Sequence, residues 1–373
     1  MPDFMQYESL VLSSGGLLGL TYVGFHKYIE INYSFKNIKN ILGVSAGSLY
    51  SIFITLGFTY QEMCAIITSF DFEEILDINI DNIIQLKGEK GLTTLDSFKR
   101  ILAEIIHKKG LDKNITIQQI YEQYDKNLLL GVTNLSTKKF EIFGRQNYPD
   151  MPVIDIIAMS CCVPIIFKPV EFKGCLYIDG GVISRFPLDF FDFKSATYKH
   201  LNDDIRHYYT YSSKSMKGEN SENNGNDSIQ TLSSIEKTIG ILLSNNVDDM
   251  TPEYIDQFDI ITYIWNIYYL KSKTELKELF EAYPFNICEF ELPQELITAG
   301  KTIFTVDDLN NMIQICYDYT KKHLESGLTK DNQYGNSLDD NNASNISLSQ
   351  SESTNAINPS LVLSNPDNSF SPS

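Results

Sequence analysis

Three short segments of this chain carry residue types and spacings that acyl-ester chemistry uses. Gly43-Val44-Ser45-Ala46-Gly47 has the G-x-S-x-G pattern. A turn of this kind strains its central residue and exposes its side chain, while the flanking glycines let a strand and a helix approach closely. A serine at the start of a helix also has unpaired backbone N–H groups beside its oxygen. The second segment is Ser14-Gly15-Gly16-Leu17-Leu18-Gly19. Ester hydrolysis needs donors aimed at the oxyanion of the transition state, each worth about 3–4 kcal/mol, and a Gly-Gly turn supplies two amides with no side chain in the way. The third is Tyr177-Ile178-Asp179-Gly180-Gly181, an acid on a turn that another backbone can approach closely. Each segment also has a plainer reading: a turn with a capping serine, a helix-entry or phosphate-cradling loop, and a simple tight turn. The phosphate alternative is weak. No Lys-Ser or Lys-Thr follows the glycines as a P-loop requires, and G-x-G-x-x-G is not present.

The segments fall at the junctions of an α/β alternation. Glu8 to Ser13 reads as a buried strand running into the first glycines, and Leu17 to Ile29 has helical spacing. Lys39 to Val44 is a second strand that leads directly into a helix over Ala46 to Leu56. Helices are predicted near Tyr60 to Phe70, Leu95 to His107, Thr116 to Tyr124 and Val153 to Ser160. Leu128 to Asn134 and Phe140 to Phe143 read as paired strands, and Val170 to Ile178 as one extended segment. Thr251-Pro252 predicts the start of a helix over Tyr254 to Leu270. Thr305 with Asp308 predicts the start of another over Val306 to Leu324, with Leu309, Met312, Ile313 and Cys316 on one face and Gly327 as its stop. The expected fold is α/β, a mostly parallel central sheet with helices on both faces. Ligands then belong at the carboxyl ends of the strands.

Composition sets the limits around this reading. The 373 residues are 43% apolar and 21% charged, an ordinary globular balance. A net charge of −18 argues against binding nucleic acid by bulk electrostatics. The longest apolar runs, Ile156 to Phe167 and Ile260 to Leu270, fall well short of the roughly 20 residues of a spanning helix. No secretory leader is read at the N-terminus. Six cysteines without C-x-x-C spacing, Cys161 and Cys162 among them, point to a reducing, intracellular setting, cytoplasmic or peripheral to a membrane. Five histidines without a ligand cluster predict no metal, and no cofactor is expected. One folded domain is expected over residues 1–329, interrupted by a mobile insertion at 212–228. A disordered tail is expected over 330–373, because 11 Ser and 9 Asn in its last 43 positions leave too little apolar area to offset chain ordering.

Taken together, the order and spacing of the three motifs resemble the patatin-like phospholipases. Those enzymes place a glycine-rich oxyanion loop after the first strand, a G-x-S-x-G elbow some 30 residues on, and a D-G-G or D-G-A turn much later. Other landmarks are similar: Thr133-Asn134-Leu135, the run from Ala158 through Ser160, Pro164 and Phe167 to Pro169-Val170, and Pro187-Leu188. The likeness spans roughly Tyr7 to Leu188. It implies a lipid acyl hydrolase with Ser45 as nucleophile and Asp179 as its proton acceptor. It also implies an oxyanion hole from Gly15, Gly16 and Ala46, with Gly19, Gly43, Gly47, Gly180 and Gly181 as supporting positions. Three residues depart from the family pattern: Ser14 replaces the first oxyanion glycine, Leu18 a basic residue, and Arg185 a frequent asparagine. Leu18 is the feature that favours a catalytically weak lipid-binding relative.

A Ser-acid-His triad is the alternative arrangement, with His200, His207 or His323 as its base. Each of the three reads more simply as a solvated or helix-capping histidine. The implied substrate is a membrane or micellar lipid. Candidate contact surfaces are Ile165-Ile166-Phe167 and the helix carrying Trp265, Tyr268 and Tyr269, although the spacing of the latter also suits a core helix. Lys168 and Arg185 are candidate phosphate contacts. Attraction to anionic bilayers should be weak at this net charge, so neutral or zwitterionic lipids are expected.

Overall fold

The computed structural model describes residues 4–69, 90–192, 194–198, 201, 234–245, 275–292 and 306–325. The expectations for the 212–228 insertion, the 254–270 helix with Trp265, Tyr268 and Tyr269, the 330–373 tail, Thr305, Gly327, His200 and His207 lie outside them.

The Asn127–Asn134 strand is buried along its whole length, as a near-continuous apolar run should be when a strand is covered on both faces. In chain order the strands are β1 (Ser9–Leu12), β2 (Asn40–Val44), β3 (Gly91–Thr93), β4 (Asn127–Asn134), β5 (Lys139–Gly144), β6 (Ile165–Phe167), β7 (Val170–Phe172), β8 (Cys175–Asp179), β9 (Thr238–Asn245) and β10 (Ile287–Leu292). The main sheet has the order β10-β9-β1-β2-β4-β8-β7, with β5 also paired to β4. From β10 to β4 every pairing is parallel; β5, β8 and β7 join antiparallel. The helices are α1 (Tyr22–Asn32), α2 (Ala46–Thr55), α3 (Tyr60–Ser69), α4 (Asp96–Lys108), α5 (Ile117–Tyr124), α6 (Val153–Ser160) and α7 (Val306–Glu325).

Alternation along the strands divides the core in two. Leu10, Leu12, Ile41, Leu128, Leu130 and Val132 face the larger cluster with α1 and α2. Val11, Leu42, Val44 and Leu129 face the other, closed by Leu188, Phe190 and Phe191 and by Leu276 and Leu279 of a helical stretch over 275–282. On α7, Leu309, Met312, Ile313 and Cys316 are all buried, as their spacing predicts.

Two local expectations are refined. The first turn after the glycines is a 3₁₀ turn (Gly16–Thr21) that passes into α1. The extended segment Val170 to Ile178 is a hairpin, because Lys173 (φ 50°) and Gly174 (φ 74°) both turn left-handed, the conformation of a two-residue type I′ loop. Strands β9 and β10 had no counterpart in the sequence reading.

The register along β4 is what brings distant residues together. β2 ends with Val44 opposite Gly131, and on the same edge β8 arrives from the other direction with Asp179 opposite Val132. β5 occupies the opposite edge. Two carboxyl ends therefore meet head-on along one strand. Leu130, at 0% exposure, lies just before this junction. Leu130→Ala is expected to cost about 2–5 kcal/mol, read as a lower midpoint in urea denaturation.

Candidate active site

Ser45 sits between β2 and α2 with φ 53° and ψ −119°. A non-glycine residue held there stores roughly 1–3 kcal/mol of strain, which surrounding structure must over-determine. The glycines on either side make that possible: a Cβ on Gly43 would overlap the Gly47 carbonyl, and one on Gly47 would overlap that of Leu12. Contrary to the expectation of an exposed side chain, Ser45 is only 3% accessible. Asp179, Ser160 and Cys161 enclose it.

The Ser45 hydroxyl donates to Asp179 Oδ2 at 2.6 Å. The carboxylate is fully buried, and its Oδ1 accepts from the Gly181 N–H at 2.7 Å. Its own N–H donates to the Cys162 carbonyl at 2.8 Å, just beyond the end of α6. Burial pushes the Asp179 carboxyl up to about 7, against the smaller lowering effect of the Ser45 and Gly181 donors. Gly180 is required by close packing, since a Cβ there would overlap the Gly131 carbonyl.

The glycine loop lies beside the elbow, where a Cβ on Gly19 would fall 2.5 Å from that of Ala46. Gly16 has φ 53°, and the Gly15 carbonyl accepts from the Leu18 N–H at 3.0 Å. Among the described residues, the N–H groups of Gly15, Gly16 and Ala46 find no acceptor. Three bare amides in the loop and at the elbow are what a developing oxyanion would need.

Ser160 is the residue that sequence reasoning treated only as a landmark. Its hydroxyl donates to the Gly131 carbonyl at 2.7 Å and accepts from the Ser45 N–H at 2.9 Å. Because its one proton is committed to Gly131, the 2.7 Å contact with Ser48 has Ser48 as donor. One hydroxyl thus ties the strained elbow to β4 and α6. The available signal was a serine at the end of an otherwise apolar helix, Val153-Ile154-Asp155-Ile156-Ile157-Ala158-Met159-Ser160.

Most of the other expected contacts lie in the interior. Leu18 packs into the core at 9% exposure rather than facing the cleft. Arg185 is 5% exposed and donates through Nη2 to the Leu243 carbonyl, so it offers no surface charge to a lipid phosphate. Lys168 is half-buried. Of the proposed apolar contact surface, Ile166 and Phe167 belong to the core, and only Ile165, with φ 74°, is exposed. No imidazole lies between Ser45 and Asp179, which touch directly. His323 is half-buried in the last turn of α7, and burial pushes it down to about 4, which departs from a solvated residue. Among the described residues no group of three or more His, Cys, Asp and Glu could hold a metal, and no helix is long and apolar enough to cross a membrane.

With this geometry in place, comparison gives the class. Residues 10–192 match the family model described as patatin-like phospholipase, and this chain carries a patatin-like phospholipase domain there. An uncharacterised protein, R571, of Acanthamoeba polyphaga mimivirus is 34% identical over 188 residues, 50% of this chain and 62% of that protein. A protein of Invertebrate iridescent virus 6 named probable lipid hydrolase 463L is 29% identical over 185 residues, 49% of this chain and 62% of that one. The chain thus spans about three fifths of the length of these curated relatives. In fold it is similar to VipD from Legionella pneumophila, with a TM-score of 0.50, 15% identity, and coverage of 86% of this chain and 67% of that one.

Two outcomes follow from the buried contacts. Ser160→Ala strands the Ser45 N–H and the Gly131 carbonyl, at about 1–3 kcal/mol, and should lower the thermal midpoint. Asp179 contributes to stability in the opposite sense from an ion-paired carboxylate. Its folded value of about 7 exceeds the ordinary 3.8, so its contribution is fully present below 3.8 and is lost as pH rises through 7. Asp179→Asn is therefore expected to melt higher than wild type at pH 8, with the gap closing towards pH 4 in differential scanning calorimetry.

Proposed function

We propose that this protein is a lipid acyl hydrolase that works through a Ser45 acyl-enzyme, with Asp179 as general base and no histidine. The 2.6 Å contact between Ser45 Oγ and Asp179 Oδ2 carries this reading. It is supported by the family match and by the name of the iridescent-virus relative. In the reaction Asp179 takes the Ser45 proton while Oγ attacks the acyl carbonyl. The oxyanion is held by the amides of Gly15 and Gly16, with Ala46 at the helix start. The alcohol leaves with the proton from Asp179, and water then releases the fatty acid by the same route reversed. A carboxylate is an ill-matched base for an alcohol in water. A dry site and preorganised donors reduce that mismatch, and the raised value of Asp179 brings it closer to neutral working pH.

The substrate class is a fatty-acyl ester at a neutral or zwitterionic lipid surface, since a net charge of −18 disfavours anionic bilayers. Six free cysteines support an intracellular setting.

A fluorophosphonate probe should label wild type and fail on Ser45→Ala, and hydrolysis of a mixed lipid extract should fall by about 10⁴-fold or more in that variant. His323→Gln should keep wild-type turnover. Collapse of turnover in His323→Gln would restore the triad, and an unlabelled wild type would favour the lipid-binding relative. Because Asp179 must be ionised to act, kcat/KM should fall about tenfold per pH unit below about 7.

A further inference from the structure

Ser14 is the one position of the oxyanion loop where this chain adds a functional group to the family pattern. The residue is 3% exposed. Its backbone N–H is taken by the Arg185 carbonyl at 2.8 Å, but among the described residues its hydroxyl has no hydrogen-bond partner. The neighbouring Ser13 shows the contrast: its hydroxyl accepts from the Leu243 N–H at 3.0 Å and lies 3.2 Å from the Tyr22 hydroxyl. Leaving a buried hydroxyl unpaired costs about 1–3 kcal/mol, a cost that glycine at this position would not carry. A compensating use is therefore to be sought where the hydroxyl points.

It points at the acid turn. A Cβ built on Gly181 would lie 2.9 Å from Ser14 Oγ and 3.0 Å from Asp179 Oδ1. Those two distances put the oxygens no more than about 6 Å apart, and they are not bonded to each other; a water standing off the Gly181 Cα can bridge two oxygens within such a limit. The Gly15 and Gly16 amides, without an acceptor among the described residues, follow Ser14 directly in the chain.

We propose that Ser14 Oγ holds the hydrolytic water for release of the acyl group, an inference that rests on the Ser45 acyl-enzyme reading above. Once Ser45 is esterified, Asp179 loses the donor on Oδ2 and keeps only the Gly181 N–H on Oδ1, so the carboxylate can take a proton from a water held between Oδ1 and Ser14 Oγ. The water gives one hydrogen to Asp179 and donates the other to Ser14 Oγ, which leaves a lone pair aimed at the acyl carbon. The bond from water oxygen to that carbon forms as the proton passes to Asp179, with the oxyanion on the Gly15 and Gly16 amides. Collapse breaks the bond from carbon to Ser45 Oγ, which recovers the proton from Asp179, and the carboxylic acid departs. Glycine at position 14 would still permit acylation but would leave the water with one anchor fewer.

The test separates the two half-reactions. Wild type, Ser14→Gly and Ser14→Thr are mixed with 4-nitrophenyl butyrate, quenched at intervals and examined by intact mass for the butyryl adduct, alongside the rate of fluorophosphonate labelling. Labelling and first-turnover nitrophenol release in Ser14→Gly should stay within about twofold of wild type, which also reports a folded site. Decay of its butyryl adduct should slow by about tenfold or more, and Ser14→Thr, which restores a hydroxyl, should recover most of that rate. Unchanged adduct decay in Ser14→Gly overturns the proposal. So does equal slowing of labelling and decay, the mark of a merely distorted loop. A wild type that forms neither the butyryl adduct nor the fluorophosphonate adduct instead removes the acyl-enzyme reading on which the proposal stands.

Discussion

A carboxylate withdrawn from water loses several kcal/mol of hydration even after relaxation, and among the described residues two donors offset this for Asp179, the Ser45 hydroxyl and the Gly181 amide. That deficit organises the site. It raises the affinity of the carboxylate for a proton, and the Ser45 hydroxyl is bonded to it at 2.6 Å. An ion-paired aspartate would be more stable and a poorer base, so a basic side chain beside Asp179 would work against this chemistry. Arg185, close in sequence, instead has its guanidinium on the Leu243 carbonyl. The thiols of Cys161 and Cys162 are held neutral by burial and by the charge of Asp179 itself.

Sheet topology supplies what those local bonds cannot. Ser45 and Asp179 are far apart in sequence, and their meeting depends on β2 and β8 ending against consecutive residues of β4, Gly131 and Val132. A one-residue slip in either pairing would turn the attached side chains to the opposite face. Register is pinned here by apolar alternation, with Leu128, Leu130 and Val132 facing one core and Leu129 the other. It is pinned again at the junction, where Ser160 bonds both the Gly131 carbonyl and the Ser45 amide. The rigidity that holds φ 53° at Ser45 therefore comes from three elements sharing one hydroxyl rather than from the turn alone.

The parts of this arrangement legible in the sequence are those with a strong local signal. β2, α2 and the elbow between them follow from an apolar run, a G-x-S-x-G turn and a helix-like stretch in succession, each forcing the next. The face of α7 follows from the spacing of Leu309, Met312, Ile313 and Cys316. What escaped was set by tertiary contact. Thr238-Ile239-Gly240-Ile241-Leu242-Leu243 contains the apolar run of a strand, yet only its pairing with β1 and β10 gives it a place in the sheet. The break in Val170 to Ile178 depended on Lys173 accepting a left-handed conformation, which its residue type does not announce. Ser160 resembled any small residue ending a helix until the Ser45 amide came within 2.9 Å of it. Leu18 and Arg185 illustrate the converse: a substitution in a motif is visible in sequence, but whether the new side chain faces the cleft or the core is not.

Leu18 also bears on how the oxyanion loop is held. A basic residue that reached out from this loop would be anchored by charge at the mouth of the site and would be sensitive to salt. Leucine is anchored by the apolar cluster behind it, and the Thr21 hydroxyl bonds its carbonyl at 2.6 Å. The Tyr22 hydroxyl, donating to the Ser13 carbonyl at 2.8 Å, fixes the entry to the loop from the same side. The amides of Gly15 and Gly16 are thus positioned from the interior, by contacts that neither salt nor an approaching lipid surface would disturb. In the reaction proposed above, such a loop would be preorganised before substrate arrives, the condition under which backbone donors lower a barrier without first having to reorganise. It also leaves recognition of a head group to other parts of the chain, because no charge of the loop itself faces outward.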